Sequence, residues 1–221
     1  YSCCLADVKG GFGMKRLLIW GAGDQGTVTA ECALAMKRYD VIDFLTIREK
    51  ETRQIPGHKI YEETDENLFD ILSAYNEVIV ATGSNDLREA KLAKLASLGL
   101  HPASLLPPTA VISPSAVISE GCTVLAGAVI NTNASVGIGC IVNTGAVIEH
   151  DCVIGDFVNI CPRAAMAGHT EIGRKAYLGI GCTIIDDIRV GTETIVGAGA
   201  VVIRDIPDHA VVAGVPAKAI R

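Results

Sequence analysis

Aromatic residues make up only 5% of this 221-residue chain, no apolar run approaches membrane length, and acidic residues outnumber basic ones. The shortage of aromatics excludes a bulky aromatic core. Abundant Val, Ile and small residues suit thin, regular layers of β-branched side chains instead. A net charge of −6 and a pI near 5.4 leave no basic stripe to neutralise phosphates, which excludes nucleic acid as a partner. Membrane-spanning helices need roughly 20 apolar residues, so no membrane span is expected. The eight cysteines show no C-x-x-C spacing, and no secretory signal precedes them. They indicate neither a disulfide framework nor a metal site, and a reduced, cytoplasmic protein is expected. Residues 1–13 are set aside as an expression remnant or processed leader, because the first methionine is Met14 and Lys15–Trp20 reads at once as a strand.

What is present is a repeat. Every sixth residue from Ile112 to Val202 is aliphatic or Met, 16 in succession without a slip. Two residues earlier in each unit the side chain is small at 14 of the 16 places, and Cys122, Cys140, Cys152 and Cys182 are among them. A period of six matches neither a strand (2) nor a helix (3.6), and marks a solenoid. The pattern predicts a triangular parallel β-helix in which each unit gives one short strand and one corner, and three units close a coil. The aliphatic residue points inward onto its equivalent 18 residues away, and the small residue is expected to let the backbone turn. An ordinary β-sandwich would need turn signals every 8–12 residues and would not hold this phase.

Residues 14–105 read as a small α/β domain, 106–205 as the β-helix and 206–221 as a C-terminal tail, with Pro102 and Pro107-Pro108 marking the boundary. Strands are expected at Lys15–Trp20, Val41–Leu45 and Val78–Ala81, and helices at Gly26–Met36, Asn67–Ala74 and Leu87–Leu98. Between the first strand and first helix lies Gly21-Ala22-Gly23-Asp24-Gln25-Gly26, a full G-x-G-x-x-G that can present backbone N–H groups to a phosphate. Asp43 lies near the place of a ribose-binding acid. About 92 residues make only one Rossmann-like half, which disfavours NAD and suits a nucleotide-sugar; a bare turn without ligand is the competing reading. A second loop, Gly83-Ser84-Asn85, follows a strand end and can line the same crevice.

A β-helix without inserted loops offers flat walls. An active site is therefore expected between subunits or against the α/β domain, and oligomerisation becomes a functional expectation. His150 sits at a corner in Glu149-His150-Asp151. An imidazole titrates near neutral pH and can take a proton from an amine or hydroxyl, with Asp151 orienting the ring. Gly168 lies one coil on, where its N–H can serve as an oxyanion donor. A solvated surface histidine is the alternative.

The α/β domain with its Gly-rich loop, joined directly to this β-helix, resembles the sialic acid O-acetyltransferase/bacillosamine-pathway N-acetyltransferase family of hexapeptide-repeat acyltransferases, over nearly all of residues 14–221. The resemblance implies a left-handed coil, a homotrimer with inter-subunit active sites, acetyl-CoA as co-substrate and no metal. Ile148-Glu149-His150-Asp151 matches the family's I-[ED]-H-[DE] base motif, Asn143 its acceptor-site asparagine and Gly168 its oxyanion glycine. Gly214-Val215-Pro216-Ala217-Lys218 matches the G-x-P-A-K ending of acetyl-CoA-dependent members. By position, Gly179, Ile180, Gly197 and Ala198 are expected along the CoA groove. Three departures are visible: Asp24-Gln25 replaces the loop's usual histidine, Thr46-Ile47 stands where an acidic pair is common, and Asn159 replaces a further acceptor-side histidine. His169, one coil above Asp151, can partly take that place, with a structural or solvated role as the alternative.

The resemblance implies acetylation of an amino group on a nucleotide-activated sugar in cell-surface glycan biosynthesis, by direct transfer with His150 as general base. The alternatives are O-acetylation of a sialic acid-type sugar, a non-enzymatic sugar-nucleotide-binding scaffold, and a zinc carbonic anhydrase. The last is disfavoured because only two histidines lie in the repeat.

Overall fold

The computed structural model describes residues 14–47 and 56–220, and the stretch 1–13 lies outside them. The first unit contains β1 (Arg16–Trp20), α1 (Asp24–Ala35), β2 (Val41–Thr46), β3 (Ile60–Glu62), α2 (Leu68–Ser73), β4 (Glu77–Val80) and α3 (Asn85–Ser97). Its four strands are all parallel in the order β3-β2-β1-β4. Leu17, Leu18, Ile19 and Trp20 are all buried, as a strand covered on both faces requires. Alternate residues serve different cores. Leu17 and Ile19 pack with Ala30 and Ala33 of α1, whereas Leu18 and Trp20 pack with Leu72 and Leu95 of α2 and α3.

The expected helices and strands form within two residues of their anticipated ends. β3 was not anticipated, because three edge residues carry no measurable periodicity. α3 starts at Asn85 rather than Leu87, since Ser84 caps it by accepting from the Leu87 N–H at 3.3 Å.

From Val111 to Val202 the chain forms two-residue parallel strands on three faces. Face one runs through Thr123–Val124, Ile141–Val142, Asn159–Ile160, Tyr177–Leu178, Ile195–Val196 and Val211–Ala213. Face two runs from Val111–Ile112 through Val147–Ile148 to Val201–Val202, and face three from Val117–Ile118 through Val153–Ile154 to Arg189–Val190. From Val111 to Val202 every strand pairs with its equivalent 18 residues away, for example Ile148 with Ile130 and Met166. Val211–Ala213 extends face one at a spacing of 16, Val211 opposite Ile195, and pairs antiparallel with Lys218–Ala219. The aliphatic ladder and the small residues together form one continuous core.

One part of the repeat reading needs correction. The small residue does not turn the corner; it is buried inside it, as Ala134, Cys152 and Ala164 are at 0% exposure. The turn is made by the residue immediately before, which adopts positive φ every six residues from Gly121 to Gly199. Six of those fourteen positions are Gly and three are Asn or Asp, the residues that tolerate this region best. The six described cysteines are buried and unpaired, and burial pushes the Cys32 and Cys182 thiols up to about 11 and about 12.

The α/β unit seats on face one and on the corner leading into it. Leu125 joins the α1-side core and Phe157 the α3-side core. Arg88, 1% exposed, donates to the Gly139 and Phe157 carbonyls of the β-helix at 2.6 and 2.8 Å, and to the Thr82 carbonyl and Asn85 Oδ1 of its own unit at 2.9 and 2.7 Å.

Candidate active site

Two separate constellations carry chemistry. The first is a cavity of about 720 Å³ at the carboxyl ends of β1, β2 and β4. The strand order reverses here: the chain runs from β1 out to β2 and β3, then crosses back to place β4 on the other side of β1. Such a switch point opens a crevice because the two connections diverge. The sequence-expected Gly21, Gly23, Gln25 and Gly83 all line it, together with Thr46, Ile47, Thr82 and Lys91.

Glycine is required at two of the loop positions for steric reasons. A Cβ at Gly21 would lie 2.2 Å from the Ala81 carbonyl oxygen, and one at Gly26 would lie 2.0 Å from that of Gly21. Gly26 is thus a packing residue behind the loop. A Cβ at Gly23 would meet nothing, so its absence widens the cavity mouth at the N-cap of α1. Asp24, Thr46, Thr82, Gln25 and Lys91 are the polar side chains of the lining, and the last two are buried donors. The Gln25 Nε2 is buried and has no hydrogen-bond partner. Lys91 is 8% exposed, pairs with Glu63 at 3.4 Å, and lies 4.7 Å from the Trp20 ring centre. Its burial pulls the ammonium pKa below the usual lysine range, with Glu63 opposing that shift. Neither Gln25 nor Lys91 is fully compensated, which suits an anionic, hydrogen-bond-accepting ligand. Sequence patterning had not singled out Lys91, whose spacing on α3 is that of an ordinary helix residue.

Asp43 has no part in this cavity. It is 4% exposed in mid-β2, where Oδ1 accepts from the Lys59 N–H at 2.8 Å and Oδ2 accepts from the Tyr75 hydroxyl. Both oxygens are committed to the fold, so no ribose contact remains. Asn85 and Asn159 are likewise spent on joining the units. Asn85 Nδ2 donates to the Lys175 carbonyl at 2.8 Å, and the 6%-exposed Asn159 donates to the Gly83 carbonyl at 3.3 Å. Asn85 also borders a second cavity of about 320 Å³ with Gly83, Lys175, Tyr177 and Glu193.

The second constellation lies at the corner between faces two and three. His150 Nδ1 is 2.9 Å from Asp151 Oδ2, and the His150 side chain is half-exposed. Asp151, at φ +58°, lies in the left-handed region, which brings the adjacent carboxylate round to the ring. The bond from His150, then one from Asn133 Nδ2 at 3.0 Å, holds the Asp151 carboxyl below the usual range. One coil on, a Cβ at Gly168 would fall 2.5 Å from His150 Cε1 and 2.8 Å from Nε2. The imidazole therefore lies directly against the Gly168 backbone, and only glycine leaves room for it. The Gly168 N–H makes no hydrogen bond among the described residues, while its carbonyl accepts from Asp187. His169 meets His150 edge-on, ring centres 5.2 Å apart.

The other expected residues are dispersed. Asn143 stands at the preceding corner, its Oδ1 accepting from the Thr144 N–H. Gly179 and Gly197 use both backbone groups within the coil, leaving the exposed Ile180 and Ala198 as the surface there. His150 belongs to none of the four cavities described. The α/β unit covers face one, whereas His150 lies on the corner opposite, so one chain does not bring its cavity and its His150 together.

Known proteins share this arrangement. Residues 16–95 match the family model described as the PglD N-terminal domain. A solved structure of a mutant perosamine N-acetyltransferase from Caulobacter crescentus, in complex with CoA and GDP-perosamine, is 33% identical over 96% of this chain and 98% of that one, with a TM-score of 0.87. The acetyltransferase domain of PglB from Neisseria gonorrhoeae FA1090, in complex with acetyl coenzyme A, is 37% identical over 94% of this chain and all of that one, also at 0.87. Curated relatives match over shorter stretches of the chain. Serine acetyltransferase 2 of Arabidopsis thaliana is 42% identical over 77 residues, 31% of this chain, and the match spans about a quarter (24%) of that protein's length. The full-length similarity to two acetyltransferases that share both units establishes that this chain belongs to the hexapeptide-repeat acetyltransferases of nucleotide-sugar pathways.

Proposed function

We infer that this chain transfers the acetyl group of acetyl-CoA to the amino group of a nucleotide-activated sugar, with His150 as general base. The observation that carries this reading is the His150–Asp151–Gly168 corner. Asp151 accepts from Nδ1–H, so the Nε2 lone pair is left to take a proton, and an unbonded N–H lies beside it. The relatives in complex with CoA, acetyl-CoA and GDP-perosamine support both substrate classes.

In the step itself the amine nitrogen attacks the thioester carbonyl as Nε2 removes its proton. The carbonyl π pair moves to oxygen, where the Gly168 N–H stabilises it. Collapse breaks the C–S bond, and the imidazolium returns the proton to the CoA thiolate. None of the six described cysteines serves as nucleophile in this reading, since all are buried and out of reach of a substrate.

The cavity below Lys91 and Gln25 receives the nucleotide portion in this reading. The α/β domain of residues 14–105 is a Rossmann-like half serving that portion, and the β-helix, left-handed as in its family, carries the transfer; it runs beyond the sequence-expected end at 205, since Val211–Ala213 adds to face one. Because His150 and the cavity face opposite ways, a complete site takes His150 from one subunit and the cavity from its neighbour in a cytoplasmic homotrimer. Of the six outer side chains of face two, Val111, Val129, Val147, Ala165 and Val201 are apolar and Thr183 is polar, and the run from Val111 to Ala165 supplies an apolar stripe for that contact.

Thiol release from acetyl-CoA, measured across a panel of amino-sugar and sialic acid-type nucleotides, tests the reading. An amino-sugar nucleotide is expected to drive release, and His150→Gln to lower it by about 10²–10⁴-fold. Full activity in that variant, or release only with a hydroxyl acceptor, would overturn it.

A further inference from the structure

The acids on either side of His150 are each tied down from the coil beneath. Asn131 Nδ2 donates to Glu149 Oε2 at 2.8 Å, and Asn133 Nδ2 donates to Asp151 Oδ1 at 3.0 Å. Asn133 is itself fixed, because its backbone N–H donates to Ser115 Oγ, one coil lower, at 3.0 Å. The column Ser115, Asn133, Asp151 and His169 thus occupies one position of the corner through successive coils. Asp151 has two histidines within reach: polar atoms of Asp151, His150 and His169 all lie within 4.8 Å of one another. It bonds only His150, through Oδ2, while Asn133 holds Oδ1.

We propose that Asn133 is a positioning residue for the base: by anchoring Oδ1 of Asp151, it directs Oδ2 to His150 rather than to His169 and so fixes the His150 tautomer. This inference rests on the reading of His150 as general base. The physical reason is that a half-exposed carboxylate on a single χ2 rotor distributes between two nearby ring N–H donors unless one oxygen is pinned. With Nδ1–H held by Asp151, Nε2 keeps its lone pair toward the acceptor. With the carboxylate turned to His169, the His150 proton can move to Nε2, and the base is then blocked. Glu149 does not compensate, because Asn131 holds it away. Asn133 donates the amide that an isosteric Asp could not, and its φ of +58° also suits Asn, so the position serves both the corner and the site.

The test is Asn133→Gly, which keeps the left-handed backbone and removes only the amide. Imidazole nitrogen shifts of the ¹⁵N-histidine-labelled protein, with His150 assigned by its loss in His150→Gln, report the tautomer directly. The expected result is a loss of the Nδ1–H form at His150, with kcat down roughly tenfold and KM unchanged. An unchanged tautomer with kcat within about twofold of the parent would overturn the proposal. Should Asn133→Gly fail to assemble, Asn133→Asp retains the backbone preference and sets a carboxylate against Asp151, with the same two readouts and the same direction expected. A fully active His150→Gln would instead overturn the base reading, and the nitrogen shifts distinguish that failure from this one.

Discussion

Gly168 shows how tightly the site is specified at the scale of single residues. Its φ does not demand glycine, and what does is the His150 ring lying where a Cβ would fall, 2.5 Å from Cε1. Gly168→Ala must displace either the ring or the coil. We expect the variant to fold, because the inward ladder of Ile148, Met166 and Ile184 is untouched. Turnover should fall by about 10²-fold or more, since a small misplacement of a base and an oxyanion donor together has that effect. Steady-state kinetics beside a thermal melt check this: a lost melting transition would reassign Gly168 to the fold. At the cavity, Lys91→Gln removes a cation without emptying the space. Nucleotide-sugar affinity is expected to weaken roughly tenfold, while the Kd of acetyl-CoA stays fixed, as titration calorimetry would show.

Among the elements, α3 does the most to connect cavity and coil. Arg88 reaches from it to two β-helix carbonyls and back to the Thr82 carbonyl in the loop that lines the cavity. Having no carboxylate partner in these bonds, the guanidinium is lowered by burial to about 10. Arg88→Met preserves bulk but strands those carbonyls, and should cost about 2–4 kcal/mol. The loss would be read as a lower melting temperature and faster proteolysis between the two units. Nucleotide-sugar binding should weaken as well, because the Thr82–Gly83 loop loses its tether. The repeat itself shows a division of labour within six residues: an inward aliphatic for the core, a small buried residue beside it, and a left-handed residue for the turn. Only the first two are visible as hydropathy. The third is filled by Gly, Asn and Asp but also by Phe157, Arg163, His169, Lys175 and Glu193, a mixture without a hydropathy signature.

At the scale of the whole molecule, a cavity on one side of the prism and His150 on the other predict division of each proposed site between subunits. Mixing His150→Gln with Lys91→Glu subunits before assembly tests this. Each variant alone should be inactive, and an equal mixture should regain about a quarter of the parental rate, the share of random interfaces with both parts intact. No recovery in mixed assemblies would mean that cavity and base act within one chain after all.

The sequence by itself determined the β-helix, its phase and its cysteines, because a solenoid core is local: each six-residue unit meets only its equivalents one coil away, so the pattern along the chain is the pattern in space. It also marked the Gly-rich loop and His150, Asp151 and Gly168, the last two by their spacing from the base. What only the tertiary structure decided came from contacts between the two units and from side-chain rotors. Asp43, Asn85 and Asn159 look available in sequence, yet their polar atoms are committed to the fold and the domain interface. Lys91 and Asn133 look ordinary, yet one is buried at a cavity and the other holds the carboxylate that bonds His150. Hydropathy and spacing report which face a residue occupies; whether its hydrogen-bonding capacity is already used depends on partners 16 to 90 residues away, brought together only by the fold.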